Sequence, residues 1–407
     1  MTTPSGPGPS RQSAAGPSKR PRPGEVTVIP ALDGLRALAA GLVILTHAAF
    51  LTGFGATGGL MGRLWARGDF GVGVFFALSG FLLHRGLVSK DEGGRLALHD
   101  YALRRAARVL PAYWVTLAAV VLFANPPLRD WLLHAGLLQI YVPDAWIGSF
   151  GQSWSLATEI SFYAILPVVV LLLRPLRRRN PVLPLVVLVA LALVTTLASG
   201  LGAGEVFGED VQFHMWLHAR APQFLVGMIC AEALRVPSHR ASRRLTAWGS
   251  DPVACLAVAG GAYLLGTTPV AGSLTIDTAS GPELIARTAL CAVVALALLL
   301  PLTQGGHSAY RTVLSHGTMR WLGRVSYGIF LWHLPVFTAL YAVTGVPLFG
   351  GGLLPLLAIG VPVTLLLAVL SYHWVEVPSS VLIGRLLARQ GNGERRQHEK
   401  PDRRLHA

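Results

Sequence analysis

The chain has little charge. Of its 407 residues only 13% are Asp, Glu, Lys or Arg, where a soluble domain carries about 25%. Hydrophobic residues make up 52%, and the mean hydropathy is +0.53. That balance excludes an ordinary soluble domain and points to a multi-pass membrane protein. Lysine is scarcer still: Lys19, Lys90 and Lys400 are the only three, so arginine carries the basic charge. An arginine bias with abundant Ala, Gly and Leu suggests a GC-rich bacterial genome. Cysteine is nearly absent. Cys230, Cys255 and Cys291 are odd in number, lack CxxC spacing and sit in or beside apolar runs. They give no disulfide framework and no zinc site, and read as packing residues. No cleavable signal peptide is visible. The first 30 residues are rich in Pro, Gly, Ser and Arg without an apolar core, and read as a disordered cytoplasmic tail.

What the chain does have is apolar runs of near-spanning length, at about 31–53, 70–88, 109–124, 154–173, 181–201, 215–234, 251–270, 282–304, 321–343 and 351–376. These predict an all-α fold, a polytopic membrane bundle of about ten transmembrane helices. The stretch DWLLHAGLLQIYVP at 130–143 is too short to span and reads as an interfacial or re-entrant helix. With the N terminus in the cytoplasm, most of the 34 Lys and Arg residues fall on the inner side. The positive-inside rule therefore favours a plasma (inner) membrane protein with both termini cytoplasmic. The formal charge of +14 is then mainly an orientation signal, with attraction to membrane lipids added. No basic face is left over for nucleic acid. The chain divides into a tail at 1–30, a membrane domain at 31–378 and a basic, disordered cytoplasmic tail at 379–407, with no internal repeat and no second, soluble domain.

Polar groups inside these runs are costly and therefore candidates for function. LDGLRALAAGLVILTH carries Arg36 near one end and His47 near the other, with no charge between them. Eleven residues at 100° each end about 20° past three turns, so both side chains lie on nearly one face, roughly 16 Å apart along the axis. Counting residues sets His47 roughly 21 Å above Asp33, Glu159 roughly 9 Å below Ser153, and His333 about 18 Å above Trp321. By that count three titratable groups from three spans share one layer in the outer half. At the inner edge stand Arg36, Arg104, Arg105, Arg108, Arg324 and Glu376. Arg105 and Arg108 lie one turn apart on one side of their helix. Arginine forks suit phosphates, although these residues also read as topology determinants. FGVGVFFALSGFLL is neither GxGxxG nor GxSxG, which argues against a dinucleotide loop and a hydrolase elbow. Its glycines read as helix packing, with Ser79 a candidate cavity residue. Two classes remain. One is an enzyme passing acyl or phosphoryl groups from a cytoplasmic donor to an outer acceptor. The other is a transporter with a proton relay through His47, Glu159 and His333.

Resemblance tips the balance toward the enzyme, with the transporter kept as the alternative. LDGLRALAAGLVILTH with its Arg–ten residues–His spacing, FFALSGFLL, RRAARVLPAYW, SWSLATEISFYAILP, SYGIFLWHLPVF and SYHWVEVP occur in that order from about 30 to 378. In them the sequence resembles acyltransferase family 3, integral-membrane O-acyltransferases that include bacterial O-antigen acetylases. One departure is the final VEVP, where the family often has an E-R-P run. The resemblance implies an acyl-CoA donor, usually acetyl-CoA, and no bound cofactor or metal. It implies as acceptor a hydroxyl of an envelope glycan, a glycolipid or a secreted glycosylated metabolite such as a macrolide antibiotic. His47 then matches the essential histidine, a general base for the acceptor hydroxyl. Arg36 would hold the donor, Arg105 and Arg108 its phosphates, and Glu159 would orient His47 or touch the acceptor. Asp33, Ser79 and His333 complete the expected site.

Overall fold

In the computed structural model, residues 28–202, 212–274 and 279–398 are described. The expected N-terminal tail lies almost wholly outside them, as do residues 399–407. Among the described residues there are helices and no strands. Each of the ten apolar runs is a helix: α1 (Ala31–Thr52), α2 (Phe70–Glu92), α3 (Leu98–Ala124), α4 (Trp154–Arg179), α5 (Leu183–Ala198), α6 (Leu217–Ala233), α7 (Pro252–Gly266), α8 (Gly281–Thr303), α9 (Gly317–Thr344) and α10 (Leu353–Ser371). Among the described residues, eight helices are long and apolar enough to cross a membrane. The other two, α6 with 17 residues and α7 with 15, fall short of that length.

Local sequence sets the helix ends. Ser280 and Glu283 close a capping box at the start of α8, with Pro282 in its first turn. Asp251 accepts from the Ala254 N–H ahead of Pro252 to start α7. Gly53 and Gly345 end α1 and α9 in the left-handed conformation that glycine allows, at φ 73° and 69°. The C-terminal reading needs correcting. Helix α10 does not stop at VEVP: a π-turn over Tyr372–Glu376 carries it into α11 (Val377–His398). Pro378 falls just after this turn, whose wider bonding accommodates a ring and a missing N–H within a continuing helix. Residues 379–398 are therefore helical rather than a disordered tail.

Helices α2 and α6 form the centre. α6 is buried along nearly its whole length, packed on α2, α5 and α8, so it tolerates Arg220, Gln223 and Glu232 away from lipid. The outer helices do the opposite. Val186, Leu193, Val194 and Leu197 of α5 and Leu354, Ile359 and Leu366 of α10 are exposed, as lipid-facing positions should be. The crossing of α2 and α6 is backbone on backbone. A Cβ at Gly80 would overlap the Phe224 carbonyl, and one at Gly227 would overlap the Ala77 carbonyl. Gly71, Gly73 and Gly80 of FGVGVFFALSGFLL thus do serve packing. Gly227→Ala is expected to cost about 1–3 kcal/mol by overpacking and to lower the melting temperature of the solubilised protein. Gly260→Ala, with nothing within 4 Å of its added methyl, is the control. An unchanged melting temperature for Gly227→Ala would remove this account of the crossing.

Two further pieces position the site. The stretch at 130–143 forms only the eight-residue helix Leu128–Ala135, followed by turns. Next, a 3-10 segment, Gly148–Ser153, runs into the bundle with Phe150, Gly151, Gln152 and Ser153 all buried. The Gln152 side-chain amide donates to the Leu331 carbonyl of α9 at 2.7 Å. Helix α4 therefore begins at the level of His333, well inside the bundle.

Candidate active site

Five helices enclose a cavity of about 380 Å³ toward the arginine-rich end of the bundle. Arg36 comes from α1, Ser79 from α2, Arg105 and Arg108 from α3, Glu159 and Tyr163 from α4, and Tyr327 and Phe330 from α9. The helical repeat explains the arginine selection. Arg105 and Arg108 share the side of α3 that lines the cavity, Arg108 being exposed at its mouth, while Arg104 lies off that side and pairs with Asp100 at 3.4 Å. Asp33 lies one turn before Arg36 and meets it at 3.7 Å. Ser79 Oγ and Tyr163 OH both donate to Oε1 of Glu159, at 2.5 and 2.7 Å. Three guanidinium groups thus face one carboxylate in the cavity. Arg105 and Arg108 have no carboxylate within 4.0 Å among the described residues, so the cavity is built to receive anionic groups.

His47 and His333 meet across α1 and α9. Nε2 of His333 lies 3.1 Å from Nδ1 of His47, and the ring centroids are 4.9 Å apart. Nδ1 of His47 also contacts the Val43 carbonyl at 2.9 Å, and Nδ1 of His333 contacts the Ile329 carbonyl at 3.2 Å. A carbonyl oxygen only accepts, so in the neutral rings each Nδ1 carries the hydrogen. His333 Nε2 is then an acceptor, and the His47 Nδ1–H is shared between it and Val43. This leaves a lone pair on Nε2 of His47, which makes no hydrogen bond among the described residues. His333 is fully buried, while His47 is half-buried. The pair has the geometry of a base and its orienter. His333 Nε2 can stabilise the imidazolium formed when His47 Nε2 takes a proton.

The expected shared layer is thus split. His47 and His333 are together, but Glu159 is bonded to Ser79 and Tyr163 in the arginine cavity. Because α4 starts beside Leu331, Glu159, seven residues after Gln152, sits about 10 Å further toward the arginine-rich end. Counting from an assumed membrane edge missed this because Gly148–Ser153 is itself buried. Asp33, Arg36, Ser79, Glu159, Arg105 and Arg108 lie together in or beside the cavity. The aromatic wall between it and the histidines was not anticipated. Phe330 lines the cavity and lies 5.9 Å from the His333 ring, with Phe75 6.1 Å from Phe330. Tyr163 was also missed, although its i, i+4 spacing from Glu159 is a readable signal. No group of three His, Cys, Asp or Glu side chains among the described residues is arranged to hold a metal ion. The three cysteines are free and buried.

Comparison with known proteins gives a consistent result. The acyltransferase domain family matches residues 29–373. The peptidoglycan O-acetyltransferase OatA of Listeria monocytogenes is 29% identical over 377 residues, covering 86% of this chain and 55% of the relative. The putative peptidoglycan O-acetyltransferase YrhL of Bacillus subtilis is 30% identical over 375 residues, covering 86% and 54%. The O-acetyltransferase OatA of Staphylococcus aureus is 25% identical over 375 residues, covering 86% and 57%. The chain spans about half the length of these curated relatives. No solved structure matches.

Proposed function

The chain belongs to the acyltransferase domain family, and on that premise we propose that it is a membrane O-acetyltransferase acting on a cell-envelope glycan. The arginine-rich end faces the cytoplasm of a bacterial plasma membrane and the opposite end faces outward, with both termini inside. Acetyl-CoA is the donor. Arg105 and Arg108 bind its phosphates, Arg36 holds the chain further in, and Glu159 keeps Ser79 and Tyr163 aimed at it. The thioester end passes Phe75 and Phe330 to reach the histidine pair. Nε2 of His47 takes the proton of the acceptor hydroxyl as its oxygen attacks the thioester carbonyl. The tetrahedral intermediate expels the CoA thiolate, which recovers the proton from His47. A positioned base contributes typically about 10²–10⁴-fold, and the thioester is already activated.

The observation that carries this reading is the oriented His47–His333 pair beside a cavity whose Arg105 and Arg108 meet no carboxylate among the described residues. A proton relay through His47, Glu159 and His333 is less well supported, because Glu159 is bonded elsewhere. The test supplies acetyl-labelled acetyl-CoA to inside-out vesicles containing the protein and its native glycan. Label should enter the glycan fraction, and none should stay on the protein when acceptor is withheld. Label in no fraction would remove the proposal, and label held on the protein would replace direct transfer with an acyl-enzyme.

His333 serves here as a positioning residue. His333→Ala removes the acceptor for the His47 imidazolium, a charge-assisted bond worth about 1.5–3 kcal/mol, or roughly 10–150-fold in kcat. KM for both substrates should hold. His333→Gln, whose amide oxygen can accept the same N–H, should recover part of the loss. A change confined to KM would assign His333 to substrate binding instead.

A further inference from the structure

A second cavity, of about 160 Å³, lies toward the opposite end of the bundle. Val72 and Phe76 of α2 line both cavities, so the two abut across one turn of that helix. The polar groups around the second one are unusual in having few partners. Arg220 stacks over the Trp154 ring at 4.9 Å, and no carboxylate lies within 4.0 Å of it among the described residues. Arg287 reaches Oδ2 of Asp69 at 2.7 Å, and the wholly buried Arg67 approaches the same oxygen at 3.7 Å. Two guanidinium groups therefore share one carboxylate, and Arg220 adds a third cation beside them. Nε of Arg220, Nε of Arg287, Oδ1 of Asp69 and Oε1 of Gln223 are buried without a hydrogen-bond partner among the described residues. Gln223 is only 1% exposed and lines the cavity. Unpaired buried cations and amides cost free energy unless something completes them.

The position ties this cavity to the reaction. Thr46, next to His47, donates to the Ala66 carbonyl at 2.6 Å, and Gly68 lies with its backbone against Leu42 and Thr46. The segment Arg67–Asp69 is thus fixed to the turn of α1 that carries His47. We propose that this cavity is the acceptor subsite, and that it takes an anionic saccharide unit: a sugar ring bearing a carboxylate or a phosphate ester. Trp154 and Phe76 line it as apolar walls against which the carbon skeleton of a sugar ring packs. Arg220 and Arg287 supply the cation excess that Asp69 does not neutralise, and Gln223 pairs with hydroxyls. A cavity of about 150 Å³ holds benzene, so this one limits the occupant to part or all of a single sugar unit and excludes a longer glycan. The inference rests on the acetyl-transfer reading and names the chemistry of its acceptor.

The test uses the full chain in vesicles, with labelled acetyl-CoA and envelope glycan, and adds soluble competitors built on one pyranose: a neutral methyl glycoside, the matching methyl uronide and the matching 6-phosphate. At least one anion should compete with glycan acetylation tenfold or more better than the neutral glycoside, and the stronger one identifies the anion. Arg220→Gln should bring the three competitors to within about twofold of one another. Arg220→Lys, which keeps the charge, should keep the preference, separating loss of the cation from a fold defect. Gln223→Leu should weaken all three competitors alike. Equal competition in the unaltered protein, or a preference that survives both Arg220→Gln and Arg287→Gln, overturns the subsite while leaving acetyl transfer standing. No label in glycan at all overturns the transfer reading itself.

Discussion

His47→Ala should lower kcat for acetyl transfer by about 10²–10⁴-fold, the range a positioned general base supplies. KM for acetyl-CoA should change little, because the donor contacts proposed here sit in the cavity lined by Arg36, Arg105 and Arg108. The chain should still fold. Removing the ring leaves His333 Nε2 and the Val43 carbonyl without their shared hydrogen, a loss of about 1–3 kcal/mol, and α1 keeps its packing on α9 and α2. His47→Gln should not restore the rate, since an amide fills the space and donates to Val43 but takes no proton. The pH profile gives an independent reading. A general base works only when unprotonated, so kcat/KM should fall on the acid side as His47 takes a proton. That limb should vanish from the residual rate of His47→Ala. A rate within fivefold of the unaltered protein would end the assignment of His47 as the base.

The sequence made the helices legible because a membrane span is written in hydropathy alone. All ten apolar runs are helices. The spacing of Arg36 and His47 correctly reports one face of α1, and that of Arg105 and Arg108 one face of α3. What the sequence could not carry is how helices are set against one another. His47 and His333 counted to similar depths, but nothing in either segment says that α1 and α9 turn those faces together. Glu159 counted to the same depth and lies elsewhere, because the count assumed that α4 starts at the membrane edge. The buried segment Gly148–Ser153 moves that start inward. The C-terminal error is of another kind. A basic, polar stretch after the last apolar run reads as a disordered tail, and the π-turn at Tyr372–Glu376 that lets the helix continue has no simple sequence signature.

The paired substitution Arg105→Gln, Arg108→Gln should raise KM for acetyl-CoA by about 10²–10⁴-fold. Each hydrogen bond from a guanidinium to a phosphate is worth about 1.5–3 kcal/mol, or roughly 10–150-fold. The two effects should fall short of additive, since the residues are one turn apart and address one ligand. Arg104→Gln is the internal comparison. Its guanidinium pairs with Asp100 at 3.4 Å on the exposed side of the same helix, where an ion pair contributes about 0–1 kcal/mol, so KM should stay within about twofold. The informative donor is acetyl-pantetheine, which keeps the thioester and the arm but lacks the nucleotide phosphates. If Arg105 and Arg108 read phosphate, the unaltered protein should use it poorly, and the double variant should use it no worse than the unaltered protein does. Raised salt should weaken acetyl-CoA binding in the unaltered protein more than in the variant, because the charges removed are the ones being screened. An equal loss with both donors would assign the two arginines to holding α3 in its place in the membrane, and the cavity would need a different cation for the donor. Arg36, the third guanidinium lining it, would then be the residue to change next.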